Sequence, residues 1–266
     1  MPIGHEGRPH RDLARIIDGA YGDQVATLQT PKRPASVLRS TVVLKYAMAV
    51  SGLIMLTYLL VHAYGNLKFF QGQEKFDSYL HETLPHMFYP YLPEDGLLWI
   101  MRVALTVALV VHAYAAATLW RRNRVAGGYV GATRYHSKQN RTGNQRSYAS
   151  FTMRWGGVIL LLFIIGHVAQ MMPNWIHPGG ASDSKYDRVV NGFDLWWVVL
   201  LYTIGLVAVG FHLAHGFWSA LTTLGQNRSK YRTTSRITAI SIGLATLLVA
   251  TFLSVPFAIF FFGAGS

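Results

Sequence analysis

The chain alternates between long apolar stretches and shorter polar segments, and five of the apolar stretches are long enough to cross a membrane. An α-helix rises about 1.5 Å per residue and the hydrocarbon core is about 30 Å thick, so a crossing needs about 20 apolar residues. The pattern therefore predicts an all-α integral membrane protein with five transmembrane helices, of which the first four form a bundle. The predicted spans are Val42–Tyr64, Leu97–Trp120, Trp155–Met172, Leu195–Thr222 and Ile237–Phe262.

Composition supports the membrane interpretation. Of the 266 residues, 51% are hydrophobic and only 14% are charged, whereas about 25% of a soluble domain is charged. The net charge of +12 comes from basic residues beside the apolar stretches, which indicates contact with lipid headgroups and a docking surface and argues against nucleic acid. The chain has no cysteine, which excludes disulfides, thiolate-ligated haem and cysteine-held iron–sulfur clusters.

The polar segments differ in charge, and this difference predicts an orientation. The segments after the second and fourth spans are strongly basic, so the positive-inside rule predicts a multi-pass protein of the cell (inner) membrane with a cytoplasmic N-terminus and an outside C-terminus. Residues 1–40 are predicted to form a basic cytoplasmic arm, and residues 41–266 the membrane domain. The arm does not resemble a signal peptide, because its apolar region begins too late. The basic segments contain Arg121, Arg122, Arg124, Arg134, Lys138, Arg141, Arg146, Arg154, Arg228, Lys230, Arg232 and Arg236.

Four histidines lie inside the first four spans, one in each: His62, His112, His167 and His212. An ionisable residue at membrane depth needs a partner and indicates a functional site. Helical rise and the predicted orientation put His62 and His167 in the outer half of the membrane, and His112 and His212 in the inner half. We therefore predict two pairs, each suited to hold one haem between two imidazoles. The histidines expected in loops or in the arm are His5, His10, His81, His86, His136 and His177.

Two short motifs add to this pattern. The first span ends in HAYGNL at residues 62–67, and the fourth contains FHLAHGFWSAL at residues 211–221. With these motifs the chain resembles the cytochrome b membrane-anchor subunits of succinate:quinone oxidoreductases and fumarate reductases, of the single-chain, five-helix, two-haem type. The resemblance implies that His62 and His167 bind the iron of an outer haem b, and His112 and His212 that of an inner haem b. His215 is an alternative ligand of the inner haem.

The same resemblance implies a function. Such a subunit of succinate dehydrogenase passes electrons between a soluble iron–sulfur subunit and a membrane quinone, either menaquinone or ubiquinone. A flavoprotein subunit that contains FAD oxidises succinate, or reduces fumarate, and this chain binds no dicarboxylate itself. The complex would belong to the respiratory chain and the tricarboxylic acid cycle. The implied partners are these two soluble subunits, quinone and membrane lipid, with no nucleic acid.

Other residues are candidates for contacts around the haems and the quinone. Small residues beside the histidines would let a flat macrocycle approach the backbone, although close helix packing explains them equally well: Gly65, Ala113, Gly166, Ala214 and Gly216. Four cations near span ends are candidate partners of haem propionates: Arg39, Lys45, Arg154 and Arg102. For Arg102, snorkelling to the lipid headgroups is the alternative. Candidate quinone contacts, some of which also suit an interfacial belt, are Ser40, Tyr46, Trp155, Trp218, Glu94 and Asp95.

Two other classes of function stay open at this stage. One is the di-haem cytochrome b anchor of another quinone-linked dehydrogenase or a hydrogenase, although such anchors usually have four helices and other histidine patterns. The other is a non-redox transporter that uses buried histidines for protons or metal, which predicts no haem absorption. The fifth span, Ile237–Phe262, has no histidine and is expected to pack outside the other four. The basic segment Arg121–Arg154 suits docking of a soluble subunit or serves only as a topology signal.

Overall fold

Each of the five apolar stretches folds as part of one long α-helix. The computed structural model describes residues 40–128, 143–172, 175–226 and 236–265, without the side chains of 125–128 and 143–152. The described part is helical without strands, and five of its helices have the length and composition to cross a membrane; the predicted fold class is confirmed. In chain order the helices are α1 (Thr41–Leu67), α2 (Gln73–Ser78), α3 (Gly96–Gly128), α4 (Gly143–Met171), α5 (Lys185–Phe193), α6 (Trp196–Thr223) and α7 (Arg236–Phe262).

Two helices extend well beyond the predicted spans at their basic ends. Helix α3 continues past Trp120 to Gly128, and α4 begins at Gly143 although the predicted span begins only at Trp155. Hydropathy identifies the part of a helix that suits hydrocarbon, whereas arginine and alanine sustain a helix in water. The apolar stretches therefore predict the spans better than they predict where the helices end.

The first four long helices form a ring that is open between α3 and α4 in the described part of the chain, and the fifth packs outside it. Helix α1 packs along α3, α6 and α7; α4 packs along α6, and α6 along α7. In the described part of the chain, α3 and α4 are not in extensive backbone contact, and neither are the pairs α1 with α4 and α3 with α6. These last two pairs are the diagonals of the ring. Helix α7 covers α6 and α1, as expected for the fifth span.

The packed core lies on the α7 side of the ring and at one end of it. Buried Leu56, Leu206 and Phe252 join α1, α6 and α7. At the end where α2 and α5 lie, Phe69 stacks on Tyr186 with ring centres 4.7 Å apart, and both side chains are buried. We call this end, which contains α2 and α5, the capped end of the bundle.

Hydrogen bonds hold the two short helices of the capped end together. The Asp77 carboxylate on α2 accepts from the Ser184 hydroxyl at 2.6 Å and from the Tyr186 backbone N–H at 3.2 Å. Ser184 is the N-cap of α5, and its hydroxyl oxygen accepts from the Asp187 backbone N–H. A side-chain acceptor satisfies backbone donors that a helix N-terminus leaves without partners, so the segment after α1 is tied to the segment after α4.

Some predictions concern residues outside the described part of the chain. The structure does not test the arm at residues 1–40, the domain boundary after it, or the orientation in the membrane, and these stay predictions. The named residues that lie outside the described ones are Arg39, Arg134, Lys138, Arg141, Arg228, Lys230, Arg232, His5, His10 and His136.

Candidate functional site

The first pair of histidines spans one diagonal of the helix ring. His62 on α1 and His167 on α4 have ring centres 5.9 Å apart, with the ring planes at 71°. Each lies within about five residues of its helix end, which is ~7 Å along the axis. The pair therefore lies near the capped end of the bundle.

The second pair spans the other diagonal. His112 on α3 and His212 on α6 have ring centres 6.1 Å apart, with the ring planes at 61°. Each lies about 16 residues from the start of its helix at the capped end, which is ~24 Å along the axis. The structure thus brings together the same partners that helical rise predicts, and it stacks the two pairs along the bundle.

Aromatic side chains surround the His62–His167 pair. The Tyr58 ring stacks on His62 at 5.3 Å and 11°, and Phe252 of α7 lies 5.5 Å from the same imidazole. On the other side Phe163 stacks on His167 at 6.0 Å and 26°. Helix α7 thus contributes a side chain to this pair, although it has no histidine.

A buried relay of hydrogen bonds fixes the proton of His167. Its Nδ1 lies 3.2 Å from the hydroxyl of Tyr202, and that hydroxyl donates to Oε1 of Gln170 at 2.9 Å. Because an amide oxygen only accepts, the hydroxyl hydrogen goes to Gln170, and the hydroxyl oxygen accepts from Nδ1–H of His167. The other ring nitrogen, Nε2, then keeps a free lone pair.

A backbone carbonyl fixes the position of the ring proton of His112. Nδ1 of His112 lies 3.0 Å from the carbonyl oxygen of Met48 on α1, and 3.3 Å from the hydroxyl oxygen of Ser51. The Ser51 hydroxyl donates to the Ala47 carbonyl at 2.7 Å, so its oxygen is an acceptor toward the imidazole. His112 therefore donates from Nδ1, and its Nε2 also keeps a lone pair.

Glycines bring helices close to two of the histidines. A Cβ on Gly52 would lie 3.3 Å from Cε1 of His112, and one on Gly157 would lie 4.0 Å from Cε1 of His212. The small residues that the sequence singled out behave differently. A Cβ on Gly166 or Gly216 would have no atom within 4 Å, and one on Gly65 would contact Tyr79.

His212 lacks a hydrogen bond of the kind that His112 and His167 make. Among the described residues its Nδ1 is a buried atom with no hydrogen-bond partner. A buried polar atom without a partner costs about 1–3 kcal/mol and calls for an explanation. His215, the alternative ligand, is half-buried one turn further along α6, while the ring that faces His112 is that of His212.

Two of the charged candidates, Arg102 and Arg154, lie against tryptophan rings. The Arg102 guanidinium lies 5.1 Å from the ring centre of Trp99, which is an exposed side chain. Arg154 on α4 and Arg124 on α3 share the Trp120 ring at 5.9 and 4.5 Å. This stack links α3 with α4 at the end opposite the capped one. Among the quinone candidates, Tyr46 and Trp155 are exposed.

His86 and Lys185 are among the titratable groups outside the membrane spans whose pKa values are shifted. The pKa of His86 is raised by its bond to the Glu82 backbone carbonyl and then by its bond to the Glu94 carboxylate, at 2.8 and 3.0 Å. Burial lowers the pKa of Lys185, and the nearby Arg188 and Arg102 lower it further. Glu94, a quinone candidate, is thus paired with a histidine that the sequence left in a loop.

The sequence did not predict two kinds of contact to the histidines: hydrogen bonds with other side chains, and close approach of glycines on other helices. Tyr202 and Gln170 were not singled out, although Gln170 is a polar residue one turn after His167 in an apolar stretch. Gly52 and Gly157 were missed because they lie opposite a histidine on another helix rather than beside one in the chain. Among the described residues no group of three or more histidine and acidic side chains is arranged to hold a metal ion.

Comparison with known proteins gives one match. Residues 133–255 match the profile of the succinate dehydrogenase/fumarate reductase transmembrane subunit, a region that includes His167, His212 and His215 and is slightly less than half of the chain. No curated protein and no solved structure matches the chain. The match confirms the resemblance at the level of the family.

Proposed function

We propose that this chain, which matches the succinate dehydrogenase/fumarate reductase transmembrane subunit over residues 133–255, is a member of that family and carries electrons across the membrane domain through two b haems. Each haem would be held by one histidine pair: His62 with His167, and His112 with His212. The observation that carries the proposal is the geometry of the pairs, with ring centres 5.9 and 6.1 Å apart on the two diagonals of one helix ring.

The spacing of the rings fits a metal ion between two imidazoles. Metal–imidazole bonds of about 2.0–2.1 Å on both sides put the ring centres about 6 Å apart. Each pair offers two nitrogen ligands, and no third protein ligand joins them among the described residues. Two axial imidazoles are what a haem iron requires, since the porphyrin supplies the other four nitrogens. The donor set therefore suits haem better than a metal ion held by protein alone.

The hydrogen bonds of two histidines also fit ligation. His112 and His167 donate from Nδ1, to Met48 and Tyr202, and each is left with the Nε2 lone pair that binds a metal. For the second pair we favour His212 over His215, because the His212 ring is the one that faces His112. The buried Nδ1 of His212 has no hydrogen-bond partner among the described residues. Ligation of iron through Nε2 would not supply one.

Bound haem would supply a reversible one-electron carrier at each pair. The two histidines of each pair would hold the haem iron from both sides, and this would leave no open position for oxygen or substrate. Tyr58, Phe163 and Phe252 pack against the imidazoles of the first pair and would limit the access of water to the haem. The two pairs are ~17 Å apart along the bundle, estimated from helical rise, so together they form a path from one end of the bundle to the other.

We further propose the orientation and partners that complete the function. The basic end, with Trp120 between Arg124 and Arg154, would face the cytoplasm and contact the iron–sulfur subunit, with the FAD-containing subunit beyond it. The capped end would face outside. Menaquinone or ubiquinone would react at the bundle, with Ser40, Tyr46, Trp155 and Trp218 as candidate contacts on the basic side and Glu94 and Asp95 on the other.

Haem content and optical spectra of the purified complex test the proposal. We expect two haems per chain and a b-type α-band in the dithionite-reduced minus air-oxidised spectrum. His62→Ala and His167→Ala should each lose the same haem, and His112→Ala and His212→Ala the other. His215→Ala, the matched control on α6, should keep both. A wild-type complex without haem would exclude the proposal and favour the transporter alternative.

A further inference from the structure

His112 and His167 both donate a hydrogen bond from Nδ1, but to different kinds of acceptor. His112 donates to a backbone carbonyl, that of Met48, which no substitution removes. His167 donates to a side chain, the hydroxyl of Tyr202, and that hydroxyl donates onward to the Gln170 side chain. The acceptor of one histidine is therefore a side chain, and the closest acceptor of the other is a backbone carbonyl.

Both side chains of the relay to His167, Tyr202 and Gln170, are buried and closely packed. Tyr202 is 9% exposed, and its ring packs edge-on against Phe193 at 4.7 Å and Phe163 at 5.2 Å. Gln170 is 7% exposed, and its Nε2 would lie 2.7 Å from a Cβ on Gly192. Glycine at position 192 thus makes room for the amide, and the side chains have little freedom to leave these positions.

We propose that Tyr202 and Gln170 are positioning residues that set the reduction potential of the haem held by His62 and His167. The inference rests on the proposed function, since it needs a haem at that pair. Gln170 keeps the hydroxyl hydrogen away from the imidazole, and Tyr202 presents its oxygen to Nδ1–H. The relay thereby holds the ring orientation and the tautomer that direct Nε2 toward His62.

The sign of the effect follows from ligand basicity. A hydrogen bond from Nδ1–H to an acceptor makes the imidazole a stronger electron donor to a metal, and a stronger donor favours the oxidised iron. Loss of the acceptor should therefore raise the reduction potential at this pair and leave the other pair unchanged. The bond that is lost is neutral and buried, so the reduction equilibrium should change by about tenfold at most, which corresponds to about 1.4 kcal/mol.

The test measures both haem potentials in the complete complex by equilibrium potentiometry. Tyr202→Phe removes the hydroxyl and keeps the ring against Phe163 and Phe193. We expect both haems to stay bound and the reduction equilibrium at the His62–His167 pair to shift up to about tenfold toward reduction, which is about 59 mV for one electron. The His62→Ala variant, which lacks this haem, identifies which of the two steps belongs to it.

A second variant and a matched control complete the experiment. Gln170→Leu keeps Tyr202 and removes the acceptor of its hydrogen, so a smaller shift in the same direction is expected because hydrogen bonds in a chain strengthen one another. Thr203→Val removes a neighbouring hydroxyl that bonds the Val199 carbonyl of its own helix, and should leave both potentials unchanged.

The outcomes separate this inference from the proposed function. Unchanged potentials in Tyr202→Phe, a downward shift, or an equal shift of both haems would overturn the role of the relay. If Tyr202→Phe fails to retain the haem, Gln170→Leu decides: an upward shift at this pair supports the relay and no shift overturns it. Absence of haem from the wild-type complex would instead overturn the proposed function.

Discussion

The imidazole of His112 bonds the backbone carbonyl of Met48, a residue 64 positions earlier on a neighbouring helix, with 3.0 Å between Nδ1 and the oxygen. Because the carbonyl belongs to α1 and the imidazole to α3, the bond ties the rotation of one helix to the position of a side chain on the other. It also determines which nitrogen of His112 faces inward toward His212. The close approach of α1 at Gly52 makes this bond possible.

We predict that Gly52→Val displaces His112. A Cβ at position 52 would already lie 3.3 Å from the imidazole, and the two further methyl groups of valine leave no room for the bond to Met48. Overpacking of this kind costs about 1–3 kcal/mol. Spectra of the purified complex should show loss of the haem proposed at the His112–His212 pair.

Gly243→Val is the matched control for that substitution. A Cβ at Gly243 on α7 would have no atom within 4 Å, so this variant should retain both haems. Equal haem content in Gly52→Val and the wild type would refute the role of Gly52.

Gly205→Ala should destabilise the bundle between α4 and α6. A Cβ there would lie 2.4–2.8 Å from three atoms of the Phe163 ring, and that ring is held against His167 and Tyr202. We expect a loss of about 1–3 kcal/mol, measured as a lower thermal midpoint in detergent.

The double variant Gly205→Ala with Phe163→Leu isolates this contact. Leucine removes the ring that the new methyl group meets, so the double variant should lose less stability than the sum of the two single variants. Simple additivity would show that the ring and the glycine are not coupled.

The contact of His86 with Glu94 should depend on pH. Bonds to the Glu82 carbonyl and to the Glu94 carboxylate raise the pKa of His86 above the value of about 6.5 in an unfolded chain. A raised folded-state pKa gives stability that is complete below about pH 6.5 and is lost as pH rises through the folded-state pKa. Protease cleavage between residues 84 and 95 should therefore speed up over that window.

A comparison of two glutamates tests the assignment of this pH dependence. Glu94→Gln removes the carboxylate charge that faces Nε2 of His86, and should lower the His86 pKa as measured by NMR. Glu82→Gln is the control, since the Glu82 side chain bonds Ser78 and its backbone carbonyl, which bonds His86, is unchanged. A larger fall in the Glu82 variant would contradict the assignment.

Asp77→Ala should loosen the capped end. Its carboxylate accepts both from Ser184 and from the first turn of α5, and removal of one partner from such a bond costs about 1–3 kcal/mol. Hydrogen exchange at Tyr186 and Asp187 should become faster. Gln73→Ala, which removes exposed bonds to Ser184 and Asp187, should have a smaller effect, and an equal effect would argue against the carboxylate as the main contact.

Much of the architecture was accessible from the sequence, because the bilayer imposes a length on each span. The short helices were not predicted. Helix α5 is only nine residues long, and its place depends on Asp77 of α2, which lies far away in the chain. The helical extensions at Gly128 and Gly143 were also missed, because hydropathy does not mark helix in polar sequence.

The sequence by itself determined the five spans and the depth of His62, His112, His167 and His212, since helical rise converts a position in the chain into a height along the bundle. Depth was sufficient to predict which histidines face each other. Only the tertiary structure decided which ring nitrogen points inward, because that depends on acceptors from other helices. Met48 and Tyr202 supply those acceptors, and rotation of each helix about its own axis, which the packing of neighbouring helices sets, brings them within reach.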